Sequence, residues 1–180
     1  MQHFERTLDS RELFRGRILR VTLDTVELED GSTSRREIVR HPGGAAVLPL
    51  EVDGTAYLVR QFRYAYGKEI LEIPAGKLEP GEDPREAALR ELEEECGLQA
   101  GKLRSLGTLY PSVGYVDEVI HLYLATDLQR IPARPDQGEF LSLEARPLEE
   151  LLRMVLSDQL HDAKTIAALL KTRLLLDMDA

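Results

Sequence analysis

A chain of 180 residues with a single cysteine, Cys96, cannot close an internal disulfide, so its stability has to come from a packed core. No apolar run approaches the length of a membrane span or of a signal-peptide core, which leaves a soluble, cytoplasmic protein without membrane partners as the expectation. No repeat or low-complexity stretch divides the chain. Positive charge is also scarce: 23 Lys and Arg stand against 32 Asp and Glu, a formal net charge of −9. Phosphate backbones demand a basic footprint, so a nucleic-acid surface is excluded as the main business of this protein. A small phosphorylated ligand, held by a metal and a few local arginines, is still compatible.

At 43% hydrophobic, the sequence has enough apolar residues for one compact α/β or α+β domain. Stretches 21–28 and 35–40 favour β-formers around Asp30-Gly31, and stretches 45–50 and 56–61 do the same around Asp53-Gly54, which predicts two hairpins. The first 20 residues read as an edge strand or an arm. Further strands are expected at 69–73, 103–110, 119–125 and 139–145, and two helices at 147–156 and about 163–175. A strand-rich sheet, one central helix and two closing helices make an α/β/α sandwich.

The most informative segment is 76–98, GKLEPGEDPREAALRELEEECGL. A helix advances about 100° per residue, so Glu91, Glu94 and Glu95 project into one arc. At about 5 Å and an effective dielectric near 20, each such pair repels by roughly 3 kcal/mol, which calls for a cation. Carboxylate oxygens with no cysteine or histidine among them suit a hard ion, magnesium or manganese. An isolated acidic run would more simply be a solvated helix face. The context argues against that: Asp83 stands as N-cap, Pro84 at the first helical position, Glu86 where a capping box wants it, and Gly97 at C′. Ala88, Leu89, Leu92 and Cys96 form an adjoining apolar stripe that lets the helix pack on a sheet. Ala87 is small and leaves room beside the carboxylates, and Arg90 stands four residues before Glu94, where an ion pair can orient it.

Gly76, Glu82, Arg90-Glu91-Leu92, Glu94-Glu95 and Gly97-Leu98 together resemble the Nudix box, G-x5-E-x7-R-E-U-x-E-E-x-G-U with U aliphatic, at every defined position. The resemblance implies a hydrolase that cleaves a nucleoside diphosphate linked to another moiety, on a Nudix-type α/β/α sandwich with a mixed central sheet. It implies Glu91 and Glu95 as ligands of Mg2+ (Mn2+ possible), with Glu94 joining them or acting through water. It further implies the Ala75 carbonyl as a ligand, Arg90 as part of the catalytic helix, and Glu82 in a supporting place. The loop PSVGYVDEVIHLYLA resembles the S-P-G-x-x-x-E loop of ADP-ribose and nucleoside diphosphate sugar hydrolases, which puts Glu118 in the position of the catalytic glutamate and Gly114 in the substrate loop. Val113 stands where proline usually precedes that glycine, and the nearest proline is Pro111.

Segments 38–44, 59–64, 72–76 and 162–166 are similar to stretches of the same enzymes in the same order, so the resemblance spans roughly residues 38–170. Arg63 matches a position that contacts the diphosphate, for which a guanidinium fork is suited. Arg40 is a further candidate for substrate contact, and Tyr64 and Tyr66 for stacking on a base. His41 and His121 read as structural histidines and Cys96 as inert. Similar family members are homodimers whose N-terminal strands help build the partner's site. That divides the chain into a β-rich extension over 1–44, at a dimer interface, and a hydrolase domain over 45–180. The substrate expected is ADP-ribose or a related nucleoside diphosphate sugar; GDP-mannose, an NADH-type dinucleotide, or binding without turnover are the alternatives.

Overall fold

The structure is a computed structural model that describes residues 3–133, 138 and 140–179. The chain forms two compact units: Met1–Gly43 with Tyr110–Val119, and Gly44–Leu109 with Ile120–Ala180. The first unit is built on an antiparallel meander of β1 (Arg6–Arg15), β2 (Arg20–Glu27) and β3 (Thr33–Arg40). The expected turn at Asp30-Gly31 closes β2 onto β3: Gly31 takes φ +79°, and Asp30 Oδ1 accepts the Ser32 N–H at 2.9 Å. β2 alternates as a half-covered strand should, burying Thr22, Asp24 and Val26. β1 is the edge strand anticipated from the first 20 residues, and it is exposed along its whole length.

The second unit carries the expected α/β/α sandwich. Its mixed sheet runs β7 (Ala75–Lys77), β4 (Gly44–Pro49), β9 (Ile120–Arg130), β8 (Leu98–Leu109), with β4 and β9 parallel and the other pairs antiparallel. A second sheet runs β10 (Leu141–Pro147), β5 (Thr55–Arg63), β6 (Lys68–Glu72). Glu139, where the last strand was expected to begin, lies outside the described residues. The turn at Asp53-Gly54 forms, but β4 and β5 are not the expected hairpin: past the single Leu50–Ala56 bridge they belong to different sheets. Both edges of each strand are already taken, β4 by β7 and β9 and β5 by β6 and β10, so no ladder between them is available.

Strand alternation sorts the core into two layers. Ala45 and Val47 of β4, Tyr57 and Val59 of β5, and Tyr123 and Ala125 of β9 point to one side, against Ala87, Ala88, Leu92 and Cys96 of α1 (Pro84–Cys96). Their neighbours Ala46, Leu48, Ala56, Leu58, Leu122 and Leu124 point to the other side. There they meet Leu148 and Leu151 of α2 (Leu148–Leu156) and Ala168 and Leu169 of α3 (Ala163–Asp179). β4 is buried at every residue, as a strand covered on both faces must be.

The boundaries of α1 follow the sequence. Asp83 accepts the Arg85 N–H at 2.8 Å at the start. Gly97 ends the helix with φ +60°, packed so closely that an added Cβ would meet the Ile131 carbonyl at 2.7 Å. Leu92 is fully buried and seats the middle of the helix on the sheet. Leu92→Ala is expected to cost about 2–5 kcal/mol in denaturant unfolding with an unchanged m-value. A loss below about 1 kcal/mol would mean that α1 is not anchored through this side chain.

Candidate functional site

The acidic face of α1 is organised by one cation. The Arg90 guanidinium donates to Glu91 at 2.7 Å, to Glu94 at 2.9 Å and, through Nε, to Glu82 at 2.9 Å. The Glu94 bond is the expected i,i+4 pair. Glu82 is brought into reach by a turn over Glu79–Glu82, with Pro80 and Gly81 (φ +80°) in the central positions and the Glu82 N–H on the Glu79 carbonyl at 3.0 Å. Its carboxylate also accepts the Glu79 N–H at 2.9 Å. The Arg90 guanidinium, and then this backbone donor, hold the Glu82 carboxyl below the usual carboxylate range. In return the Arg90 proton is held more firmly than usual, first by Glu82 and then, against the cost of burial, by Glu91 and Glu94.

β7 lies directly against this face. The Ala75 N–H donates to Glu95 Oε2 at 3.0 Å, and a Cβ added to Gly76 would fall 1.7 Å from Glu91 Oε1. A side chain at the box glycine would have to push the Glu91 carboxylate aside, so glycine lets the strand approach it this closely. Glu91 and Glu95 are buried, 8% and 5% exposed, whereas Glu94 is half-buried. Among the described residues, no three His, Cys, Asp or Glu side chains converge into a shell for an ion. What β7 and α1 bring together is two buried carboxylates and the Ala75–Gly76 backbone, with the Ala75 N–H bonded to one of them.

Arg63, at the end of β5, lies in the same unit. It makes a two-pronged pair with Glu72 of β6, Nε at 2.6 Å and Nη2 at 2.7 Å, while 40% of its side chain stays exposed. Glu72 is 2% exposed and also receives Lys164 Nζ. Burial pulls the Glu72 carboxyl upward, but Arg63 and Lys164 together outweigh it and hold it below its ordinary value. Neither Glu72 nor Lys164 stood out as a site residue in the sequence; the available signal was a carboxylate flanked by Leu71 and Ile73. Tyr64 and Tyr66, in a 3-10 turn after β5, are exposed. His121 lies on β9, paired with Ala45, and Cys96 is buried, its thiol pushed upward by desolvation as befits an inert core residue.

In the other unit, loop 110–119 is tied to the end of β3. The Val39 N–H reaches the Tyr115 carbonyl at 2.8 Å, and the Asp117 N–H reaches the Val39 carbonyl at 3.1 Å. Arg40 bridges Asp24 at 2.6 Å and Asp117 at 3.2 Å. His41 Nδ1 lies 3.4 Å from Glu118 Oε1, and Asp117 Oδ1 accepts the His41 N–H at 2.8 Å. Arg40 and His41 thus share Asp117 as a common acceptor, with Glu118 next to it in sequence. Gly114 is exposed, with open space where a Cβ would stand, so its conformation does not itself demand glycine.

Comparison with known proteins agrees with this geometry. Residues 40–169 match the Nudix domain, and residues 5–39 match the nucleoside diphosphate sugar hydrolase N-terminal domain. The chain is 43% identical to a methanol dehydrogenase activator of Bacillus methanolicus, with 91% of this chain and 90% of the relative covered. It is 42% identical to an ADP-ribose pyrophosphatase of Bacillus subtilis (strain 168), over 92% and 90%. Identity to the ADP-ribose pyrophosphatase of Mycobacterium tuberculosis (strain ATCC 25618 / H37Rv) is 34%, over 94% and 83%. The crystal structure of an ADP compounds hydrolase superposes with a TM-score of 0.85 at 26% identity, covering 98% of this chain and 96% of that one. With the Nudix domain spanning most of its length and the box residues gathered on α1, the chain belongs to the Nudix family.

Proposed function

We propose that this protein hydrolyses the diphosphate bond of ADP-ribose or a related nucleoside diphosphate sugar, giving a nucleoside monophosphate and a sugar phosphate. The observation that carries this reading is the pair of buried carboxylates, Glu91 and Glu95, pressed against the Ala75–Gly76 backbone on an otherwise apolar helix seat. Carboxylate oxygens suit a hard ion such as Mg2+, with Mn2+ as a substitute. Glu91, Glu95 and the Ala75 carbonyl would hold the ion, with Glu94 joining from the edge. When bound, such an ion neutralises the diphosphate and lowers the pKa of a coordinated water.

The remaining roles belong to this chain's own side chains. Arg90 keeps Glu91 and Glu94 from swinging into solvent. Arg63 offers the exposed part of its guanidinium to the diphosphate oxygens. Glu118 takes a proton from the attacking water. Arg40, Tyr64 and Gly114 are the further candidates for contact with the nucleoside or sugar. Relatives named for ADP-ribose, at 42% and 34% identity, favour that substrate over GDP-mannose, for which relatives at 33% are named.

We also infer a cytoplasmic homodimer in which residues 1–44 form the interface and 45–180 the hydrolase domain. The edge strand β1 supports this, since it leaves Leu8, Leu13 and Phe14 about half exposed or more along an unpaired edge.

Incubation with ADP-ribose and Mg2+ is expected to release AMP and ribose 5-phosphate faster than any other nucleoside diphosphate sugar in a side-by-side panel; preference for GDP-mannose would reassign the substrate. Glu95→Gln is expected to lower kcat by about 100-fold or more at an unchanged unfolding midpoint, because it removes a charge needed in the transition state. Near-normal turnover would take Glu95 out of the site. Glu118→Gln is expected to lower kcat by about 100-fold to 10,000-fold with little change in the Mg2+ requirement, and a shift confined to metal affinity would recast it as a ligand. Sedimentation is expected to give twice the chain mass of 20.3 kDa. Leu13→Asp with Phe14→Asp should then shift the protein to monomer, and an unchanged dimer would place the interface elsewhere.

A further inference from the structure

The stretch Asp162-Ala163-Lys164-Thr165, at the start of α3, has no part in the roles assigned so far. Its side chains form a buried polar chain. Asp162 Oδ2 accepts the Thr165 N–H at 3.0 Å and its hydroxyl at 2.5 Å. The Thr165 oxygen in turn accepts the Ile73 N–H at 2.9 Å, two residues before Ala75. Lys164, 8% exposed, lies 3.0 Å from Asp162 Oδ1 and donates to Glu72 Oε2. Glu72 then grips Arg63 with both of its oxygens.

A buried ammonium–carboxylate pair is seldom more stabilising than an apolar pair of the same volume, so its presence is better accounted for by what it fixes. A carboxylate bonded to Arg63 alone could rotate with it as a unit. With Lys164 on Oε2 from the other side, the Glu72 carboxylate cannot turn, and a guanidinium held through Nε and Nη2 has a single plane. Arg63 also feels the charge of Glu95 on α1, so its orientation bears on the acidic face.

We propose that Lys164 and Glu72 are positioning residues that lock the Arg63 guanidinium in one orientation, making the first turn of α3 the element that presets the diphosphate-binding arginine. This rests on the reading of Arg63 as a diphosphate contact. The lock is separable from that reading because it exists without ligand.

Arginine Nε–Hε spectroscopy of the whole protein tests it. The Arg63 signal, assigned by its loss in Arg63→Lys, is expected to be resolved and slow to exchange in the native protein. It is expected to broaden into the mobile arginines in Lys164→Met and, should that variant not fold, in the charge-neutral pair Glu72→Gln with Lys164→Met. A mobile Arg63 in the native protein, or an unchanged signal in a folded variant, overturns the lock. In turnover of ADP-ribose, Lys164→Met should raise KM by about tenfold, but by less than about twofold once Arg63 is already lysine. Effects that multiply would make Lys164 a general structural residue and overturn the proposal. If the native protein cleaves no nucleoside diphosphate sugar, the proposed function falls, while the Arg63 signal still decides the lock.

Discussion

The guanidinium of Arg90 is the interaction on which the rest of the site depends. Glu91, Glu94 and Glu95 crowd one arc of a single helix, and carboxylates about 5 Å apart repel by roughly 3 kcal/mol per pair at an effective dielectric near 20. Two of them are nearly buried, where water does little to relieve the repulsion. By bonding Glu91 and Glu94, Arg90 holds two charges in place at once, and Glu82 holds Arg90 from the preceding turn. That turn exists because Pro80 and Gly81 supply the backbone angles it needs. The spacing between the box glycine, the first glutamate and the arginine is therefore a mechanical requirement.

The sheet supplies the second half of the arrangement. β4 sends alternate side chains to the two helical layers, so α1 is seated on one side of the unit while α2 and α3 are seated on the other. β7 joins the edge of β4 and lays Ala75 and Gly76 along α1. The start of α3 reaches the same segment through Thr165 and Ile73, and reaches Arg63 through Lys164 and Glu72. Packing on both faces thus converges on a few residues around Pro74.

Much of this was legible in the sequence because it rests on local rules. The caps of α1, the Asp30-Gly31 hairpin, the closing helices and the i,i+4 pair of Arg90 with Glu94 each depend on residues a few positions apart. The hairpin expected between β4 and β5 failed for a nonlocal reason: turn chemistry at Asp53-Gly54 decides that the chain reverses, but not which neighbours then claim the strand edges. Strand β7 escaped notice because three residues carry no periodicity. Lys164 and Glu72 are 92 residues apart, and a carboxylate between two apolar neighbours, Leu71 and Ile73, signals a partner without naming it. The box glycine is the reverse case, where a pattern of letters acquired a cause only when its Cβ position was found inside the space of Glu91.

Every role proposed for these residues depends on the diphosphate being cleaved at the acidic face of α1. The most direct measurement is the anomalous scattering of Mn2+ in crystals grown with an ADP-ribose analogue whose bridging oxygen is replaced by methylene. Peaks coordinated by Glu91 and Glu95 are expected, with the analogue's two phosphates between them and Arg63. Manganese and phosphates bound together at some other place, with the face of α1 left to Arg90 alone, would contradict it.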